Sequence, residues 1–290
     1  MSLWICLTCG AEHPDTRRPP EACAICADDR QWVPPEGQRW STASDLEVGR
    51  TFTIEKIEPD LFGVTVSPEV AIGQRTLIVR TPHGNVLWEP SAYIGAGLVV
   101  AVEALGPVVA VAASHPHLAG ACVSWSHMLS ARQQTEVPIL WNAHDRRWVQ
   151  RPDAAYVFWT DRHEPVEGVA LVRAGGHFPG SCVLHWPAGA EGRGVLLVGD
   201  TLMVGPSGHT VSLMRSYPNQ LPLSERLVRQ IEATLEPLAY DRILGAFAGR
   251  SIDRGGPAVV RSSAERYIGW LTDAIRDPDE TLDADTQQAG

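Results

Sequence analysis

Two sets of side chains in this 290-residue chain have the types and spacing to hold metal ions. The first is Cys6-Leu-Thr-Cys9 and Cys23-Ala-Ile-Cys26, with thirteen residues between the pairs. A Cys-x-x-Cys turn puts two thiolates on one tight knuckle, and two knuckles complete a tetrahedral shell of four sulfurs. Gly10 follows Cys9 and lets backbone N–H groups turn toward the sulfurs. Zinc is the leading reading of that spacing. A pair of disulfides in an oxidising compartment and a four-sulfur iron site use the same residues. About 30 residues bury little core, so the ion would supply much of this module's folding energy. The second set is dispersed: Ser114-His115-Pro-His117, then Gly175-Gly-His177-Phe-Pro-Gly180, then Gly199-Asp200-Thr201. Residues i and i+2 of an extended segment face the same way, so His115 and His117 can reach one ion. One His-x-His is a loose pattern; three such features, each just past an apolar run, are more specific.

The elements that must present these side chains are legible in outline. Strand-like runs occupy 51–57, 76–80 and 85–89, with hairpin-turn chemistry at Thr81-Pro-His-Gly-Asn85. A short helix is expected over 96–105 and a buried strand over 108–113. Further strands are expected at 137–141, 169–172, 182–186, 195–198 and 241–246. Ser224 reads as the N-cap of a helix with Leu227, Val228, Ile231 and Leu235 on one face and Pro237 as its stop. A last helix, 257–275, carries Val260, Ala264, Tyr267, Ile268 and Leu271 on one stripe. The expected division is a four-cysteine module and linker at 1–40, a main domain at 41–276 and an acidic, disordered tail at 277–290. Trp32 and Trp40 in the linker are expected to dock the module.

Composition narrows the partners. With 24 Lys+Arg against 34 Asp+Glu the net charge is −10, and 44% of residues are hydrophobic. That is a globular chain, and its acidity argues against nucleic acid and anionic membranes, which reward Lys and Arg. No apolar run reaches the ~18–20 residues that cross a bilayer. The start, MSLWICLTCG, lacks a basic segment followed by an apolar one, so a cytoplasmic location is expected. A small-molecule substrate is the expected partner; self-association as a homodimer, or docking through the module, is compatible with the sequence.

In order, Ser-His-Pro-His, Gly-Gly-His-Phe-Pro-Gly-Ser and Val-Gly-Asp-Thr-Leu resemble the metallo-β-lactamase superfamily. Its pattern runs HxHxDH, a His in a GHTPGS-like turn, an Asp in a GDxL-like strand end and a late GHG. The resemblance covers about residues 45–275. It implies an α/β fold: an αβ/βα metallo-β-lactamase-like sandwich, with metals at one edge between the sheets, preceded here by a small zinc ribbon. The ribbon is similar to rubredoxin in its four cysteines, but CAICADD lacks the Pro and Gly that rubredoxin usually shows there, which favours zinc. The superfamily includes lactamases, thioesterases, lactonases, phosphodiesterases, nucleases and an iron persulfide dioxygenase, so the fold does not set the reaction.

The departures matter as much as the match. His115, His117, His177 and Asp200 map onto the first metal. The ligands of the second are replaced by Ala119, Gly120 and Arg250. One metal is therefore expected, with the Arg250 guanidinium standing where a second cation would be repelled. Asp200, Arg250 and Tyr217 are the expected catalytic groups: Asp200 to orient a water or bind the ion, Arg250 to hold an oxyanion, Tyr217 to face substrate from a loop. Glu89 is expected to support the metal loops. His127, His144, His185 and His13 read as ordinary polar side chains, and Cys122 and Cys182 as small buried hydrophobes. Three functions compete: a mononuclear hydrolase of a small ester, thioester or lactone; a mononuclear iron oxidoreductase resembling the persulfide dioxygenase; and a non-catalytic binding protein. Zinc or iron at the His/Asp site separates the first two.

Overall fold

Period-two alternation in the strands builds two sheets back to back. The computed structural model describes residues 2–280, so the expected tail lies outside the described residues from 281 on. Three short strands, β1 (Ser2–Cys6), β2 (Glu12–Thr16) and β3 (Trp40–Thr42), form an N-terminal antiparallel sheet in the order β2-β1-β3. A seven-stranded sheet follows: β4 (Thr51–Glu58), β5 (Leu61–Ser67), β6 (Thr76–Val79), β7 (Asn85–Trp88), β8 (Val108–Ala112), β9 (Ile139–Asn142) and β10 (Tyr156–Trp159). Its first four strands are an antiparallel meander and β7 to β10 run parallel. The second sheet has the order β11 (Arg162–Val166), β12 (Val169–Arg173), β13 (Cys182–Trp186), β14 (Val195–Leu197), β19 (Arg242–Leu244) and β20 (Ser251–Ile252). The hairpin pairs β15 (Met203–Val204) with β16 (Val211–Ser212), and β17 (Met214–Ser216) with β18 (Leu221–Pro222), fill the connection after β14.

Facing sides of the two sheets share one core. Val86 and Trp88 of β7, Ala110 and Ala112 of β8, Leu171 of β12, Leu184 and Trp186 of β13 and Leu197 of β14 point inward. Their neighbours Leu87, Val111, Val172, Val183 and Leu196 point outward, as a pleated strand requires. On the outside of the first sheet lie the helices Ala96–Glu103 and Cys122–Gln133; on the outside of the second lie Glu225–Leu235 and Gly256–Leu271. The layers are therefore helix, sheet, sheet, helix. Val228, Ile231 and Leu235 are buried as their spacing predicts, although Ser224 makes no side-chain capping bond. The last helix ends at Leu271, short of the expected 275; Leu271 is exposed, so no burial extends it.

The N-terminal sheet is continuous with the outer core of the first large sheet, through Ile5, Cys6, Cys9, Ala11, Cys23, Ile25 and Cys26. Gly10, at φ +80°, lets the first knuckle approach the body: a Cβ there would sit 3.1 Å from Ala71 and from Ala92. Trp40 packs edge-on against His13 and joins this core. Trp32 does not: it is 41% exposed, so its expected docking role is corrected. Charged and polar side chains next to it take that role.

Candidate metal centre

The four cysteines converge and are all buried. Cys6 Sγ and Cys26 Sγ are 3.5 Å apart, and Cys9 Sγ and Cys23 Sγ 3.7 Å. A disulfide needs about 2.05 Å. Sulfurs at the corners of a zinc tetrahedron lie about 3.8 Å apart, given Zn–S near 2.3 Å. The spacing therefore fits a shared cation. Gln38 donates from Nε2 to Cys6 Sγ at 3.0 Å, a bond that favours the thiolate.

The second group gathers His115, His117, His177 and Asp200, all buried, at the rim between the two large sheets. Each comes from a strand end. His115 and His117 follow β8, His177 lies in the turn between β12 and β13, and Asp200 follows β14. His115 Nε2 is 3.5 Å from Asp200 Oδ2, His177 Nε2 is 3.9 Å from that oxygen, and His177 Nε2 is 3.4 Å from His117 Nδ1. Tetrahedral zinc with nitrogen ligands gives edges of about 3.3 Å.

Hydrogen bonds on the far side of the rings decide which nitrogens carry protons. Ser114 Oγ donates to Glu89 Oε1 at 2.7 Å and accepts from His115 Nδ1–H at 2.8 Å. His177 Nδ1–H donates to Met214 O at 3.0 Å. Both Nε2 atoms are left with bare lone pairs, facing a carboxylate oxygen. Burial brings His177 down to about 3, the neighbouring His115 adding to this and Asp200 opposing it. Burial and the other two imidazoles hold His117 well below the usual histidine range. Burial would raise Asp200; His115 and His177, when either ring carries a proton, outweigh it and hold the carboxyl below its ordinary value. His115 Nε2 and Asp200 Oδ1 are buried with no hydrogen-bond partner. Lone pairs turned on one another in a dry site repel unless a cation stands between them, so these residues fit a metal ion.

The surroundings extend what the sequence suggested. Burial pushes Glu89 up to about 8, against the hydrogen bond from Ser114. Tyr217 Oη lies 3.2 Å from Asp200 O and 2.9 Å from Ser212 O, so the phenol bonds main-chain carbonyls and steadies the Asp200 turn. Arg250 lies in the turn after β19, its N–H on Phe247 O and its own carbonyl accepting from Gly245. Gly120 has φ +48°, and a Cβ on it would meet Pro90 O at 1.9 Å. No side chain fits there, and Ala119 beside it is buried.

Three contributors carry no local signal. Phe178, fully buried, lies within 5.5 Å of all three imidazole centroids and edge-on to Trp148. Asp145 Oδ1 accepts from Gly180 N at 3.0 Å and holds the His177 turn closed; burial pushes its carboxyl up to about 6. Arg30, from the cysteine module, donates from Nε to His177 O at 2.7 Å and lies 4.3 Å over the Phe178 ring. Only the Gly-Pro setting of 177–180 hinted that its turn needed a clamp. Three of the other histidines have partners elsewhere: His127 pairs with Asp153 at 3.0 Å, His144 with Asn142, and His185 with Ala239 O.

No protein-family model matches the chain. It is 38% identical to the uncharacterized protein YmaE of Bacillus subtilis (strain 168) over 278 residues, 95% of this chain and 99% of that one. Among solved structures it is similar to the metallo-β-lactamase DIM-1, at TM-score 0.55 and 15% identity, over 74% of this chain and 97% of that one. It is also similar to a metallo-β-lactamase from Pontibacter korlensis, at 0.54 and 16%, over 75% and 99%. The fold is the metallo-β-lactamase sandwich, with a small four-cysteine ribbon at its N-terminus.

Proposed function

We propose that this chain, which belongs to the family of the Bacillus subtilis protein YmaE, is a mononuclear metal-dependent hydrolase of a small ester, thioester or lactone-type substrate. The carrying observation is the convergence of His115 Nε2 and His177 Nε2 on one carboxylate oxygen of Asp200, within 3.9 Å. His115, His117 and His177 would hold the ion with a position left open, Asp200 standing beside it, and we assign zinc both to this centre and to the four sulfurs. When bound, such an ion acidifies water and polarises a carbonyl.

The chain's own residues supply the rest. Ser114 and the carbonyl of Met214 keep the His115 and His177 tautomers in their ligating form. Asp200 Oδ1, unused by other protein groups, accepts a hydrogen bond from the attacking water and aims it. Tyr217 steadies the backbone of that aspartate. Phe178 and Trp148 exclude water from behind the imidazoles. Arg250 is assigned the anion that develops on the substrate, since a guanidinium forks onto two oxygens. A single ion is supported by Gly120, whose backbone leaves no room for a further ligand.

Metal analysis and a panel of esters, thioesters and lactones test this. The expected result is two metals per chain with turnover. A His115→Ala/His177→Ala variant should keep one metal and lose turnover, and Arg250→Ala should lower kcat/KM by about tenfold or more. A wild type inert across the panel defeats the reading, and iron at the histidines with oxygen uptake replaces it by the oxidoreductase.

A further inference from the structure

We infer that Arg30 is a positioning residue for the three-histidine centre, and that through it occupancy of the four-thiolate site controls how tightly that centre holds its ion; this rests on the metal reading proposed above. The cysteine module grips the two segments that orient the imidazoles. Arg30, its side chain 4% exposed, donates to the carbonyl of His177 itself and stands over the Phe178 ring. Its Nη1 is pinned to Asp28 Oδ1 at 2.6 Å. The carbonyl of Arg30 accepts from Ser216 Oγ, those of Asp29 and Gln31 accept from Asn219 Nδ2, and Asp29 pairs with Arg215. These partners directly follow Met214, the acceptor for His177 Nδ1.

The second grip is behind His117. The helix Cys122–Gln133 has Ala121 at its N-cap, with no side-chain capping bond of its own. Glu12 of β2 caps it from outside, accepting from the N–H groups of Val123 and Ser124 and from Ser124 Oγ, while Arg151 neutralises it at 2.8 Å. The first grip depends on the second thiolate knuckle. Asp28 N bonds Ile25 O, Ala27 N bonds Cys23 O, and Gln31 N bonds Asp28 O, so the Arg30 turn is a continuation of the second knuckle. Without an ion four buried cysteines have nothing to gather them, and the Arg30 turn loses its anchor. Coupling of this kind is reciprocal: an ion at the histidines also favours the ribbon's docked form.

Cobalt(II) tests the inference, because only the four-sulfur site gives sulfur-to-cobalt charge transfer, and its d–d bands lie at longer wavelength than those of a nitrogen–oxygen site, so the two can be followed separately. In Arg30→Ala the thiolate band, and its affinity measured with the histidine centre empty, stay as in wild type. Cobalt affinity at the histidines falls by about tenfold or more, the usual cost of losing an outer-shell partner. Arg30→Lys restores only part, since an ammonium cannot stand over the Phe178 ring while bonding both Asp28 and His177. A second measurement needs no variant: an organomercurial titrated into the doubly cobalt-loaded wild type blocks the four thiolates, and release of both ions is expected. Unchanged histidine-site affinity in Arg30→Ala, or nitrogen–oxygen d–d bands that survive thiolate blocking, overturns the coupling. If Arg30→Ala fails to fold, the mercurial titration decides. A wild type that takes up cobalt at sulfur alone overturns the metal reading itself, recognisably, because no second site then exists to be coupled.

Discussion

Cys6, Cys9, Cys23 and Cys26 come from two turns of one short segment, whereas His115, His117, His177 and Asp200 come from the ends of three strands in two sheets. The sulfurs have little regular structure around them beyond three short strands. The imidazoles follow buried strands and are braced from behind by Ser114, Glu89, Asp145 and Met214. The contrast separates two ways of making a site. In one, the ion orders the chain; in the other, the chain is ordered first and the ion relieves the repulsion that order creates.

The strongest way to break this comparison is to empty each site in turn. Cys23→Ser/Cys26→Ser should cost stability on the order of 5 kcal/mol, because ion binding there is folding energy. His115→Ala/His177→Ala should cost only about 2 kcal/mol, since the sheets persist and lone-pair repulsion is lost along with packing. Urea unfolding in the presence of zinc measures both, and the reverse order would refute the contrast.

A middle-sized effect is expected at the rim. Gly120→His restores a residue type that the superfamily uses for a second ion. With a Cβ aimed at Pro90 O and a left-handed backbone, it should cost about 3 kcal/mol and bind no additional metal. Metal content and thermal unfolding of the purified variant check this; a stable protein with a third ion would mean that the loop can open.

The smallest effect concerns protons in the metal-free chain. His177 falls to about 3 on folding, so below its ordinary value near 6.5 the unfolded chain takes up a proton that the folded chain refuses. Stability should therefore fall as pH drops from about 6.5 toward 3. Glu89 behaves oppositely: raised to about 8, it stays protonated in the fold while ionised when unfolded, so stability should fall as pH rises through that range. Each limb is bounded at about 1.4 kcal/mol per pH unit per group. Glu89→Gln should flatten the alkaline limb alone, since its amide oxygen still accepts from Ser114; urea midpoints against pH report it.

Much of the scaffold was legible because buried parallel strands read as uninterrupted apolar runs: VVAVA of β8 and VLL of β14 announce themselves. β10 and β11 escaped notice because they are edge strands; RHEPV carries charge and a proline, which an edge tolerates. β5 was also missed, its apolar run being interrupted by Gly63 and Thr65. The site's ligands were visible through their types and order. Its supports were not: Glu12, Arg30 and Asp145 are ordinary charged residues whose partners lie far along the chain.

By itself, the amino-acid order determined which atoms can bind ions and which segments become strands, because both depend on residue type and short spacing. Tertiary structure alone decided that the ribbon is built into the body, that its arginine leans on the His177 turn, and that Gly120 leaves no space for another ligand. Those outcomes depend on which surfaces meet, and packing between distant segments has no period or spacing to read in advance.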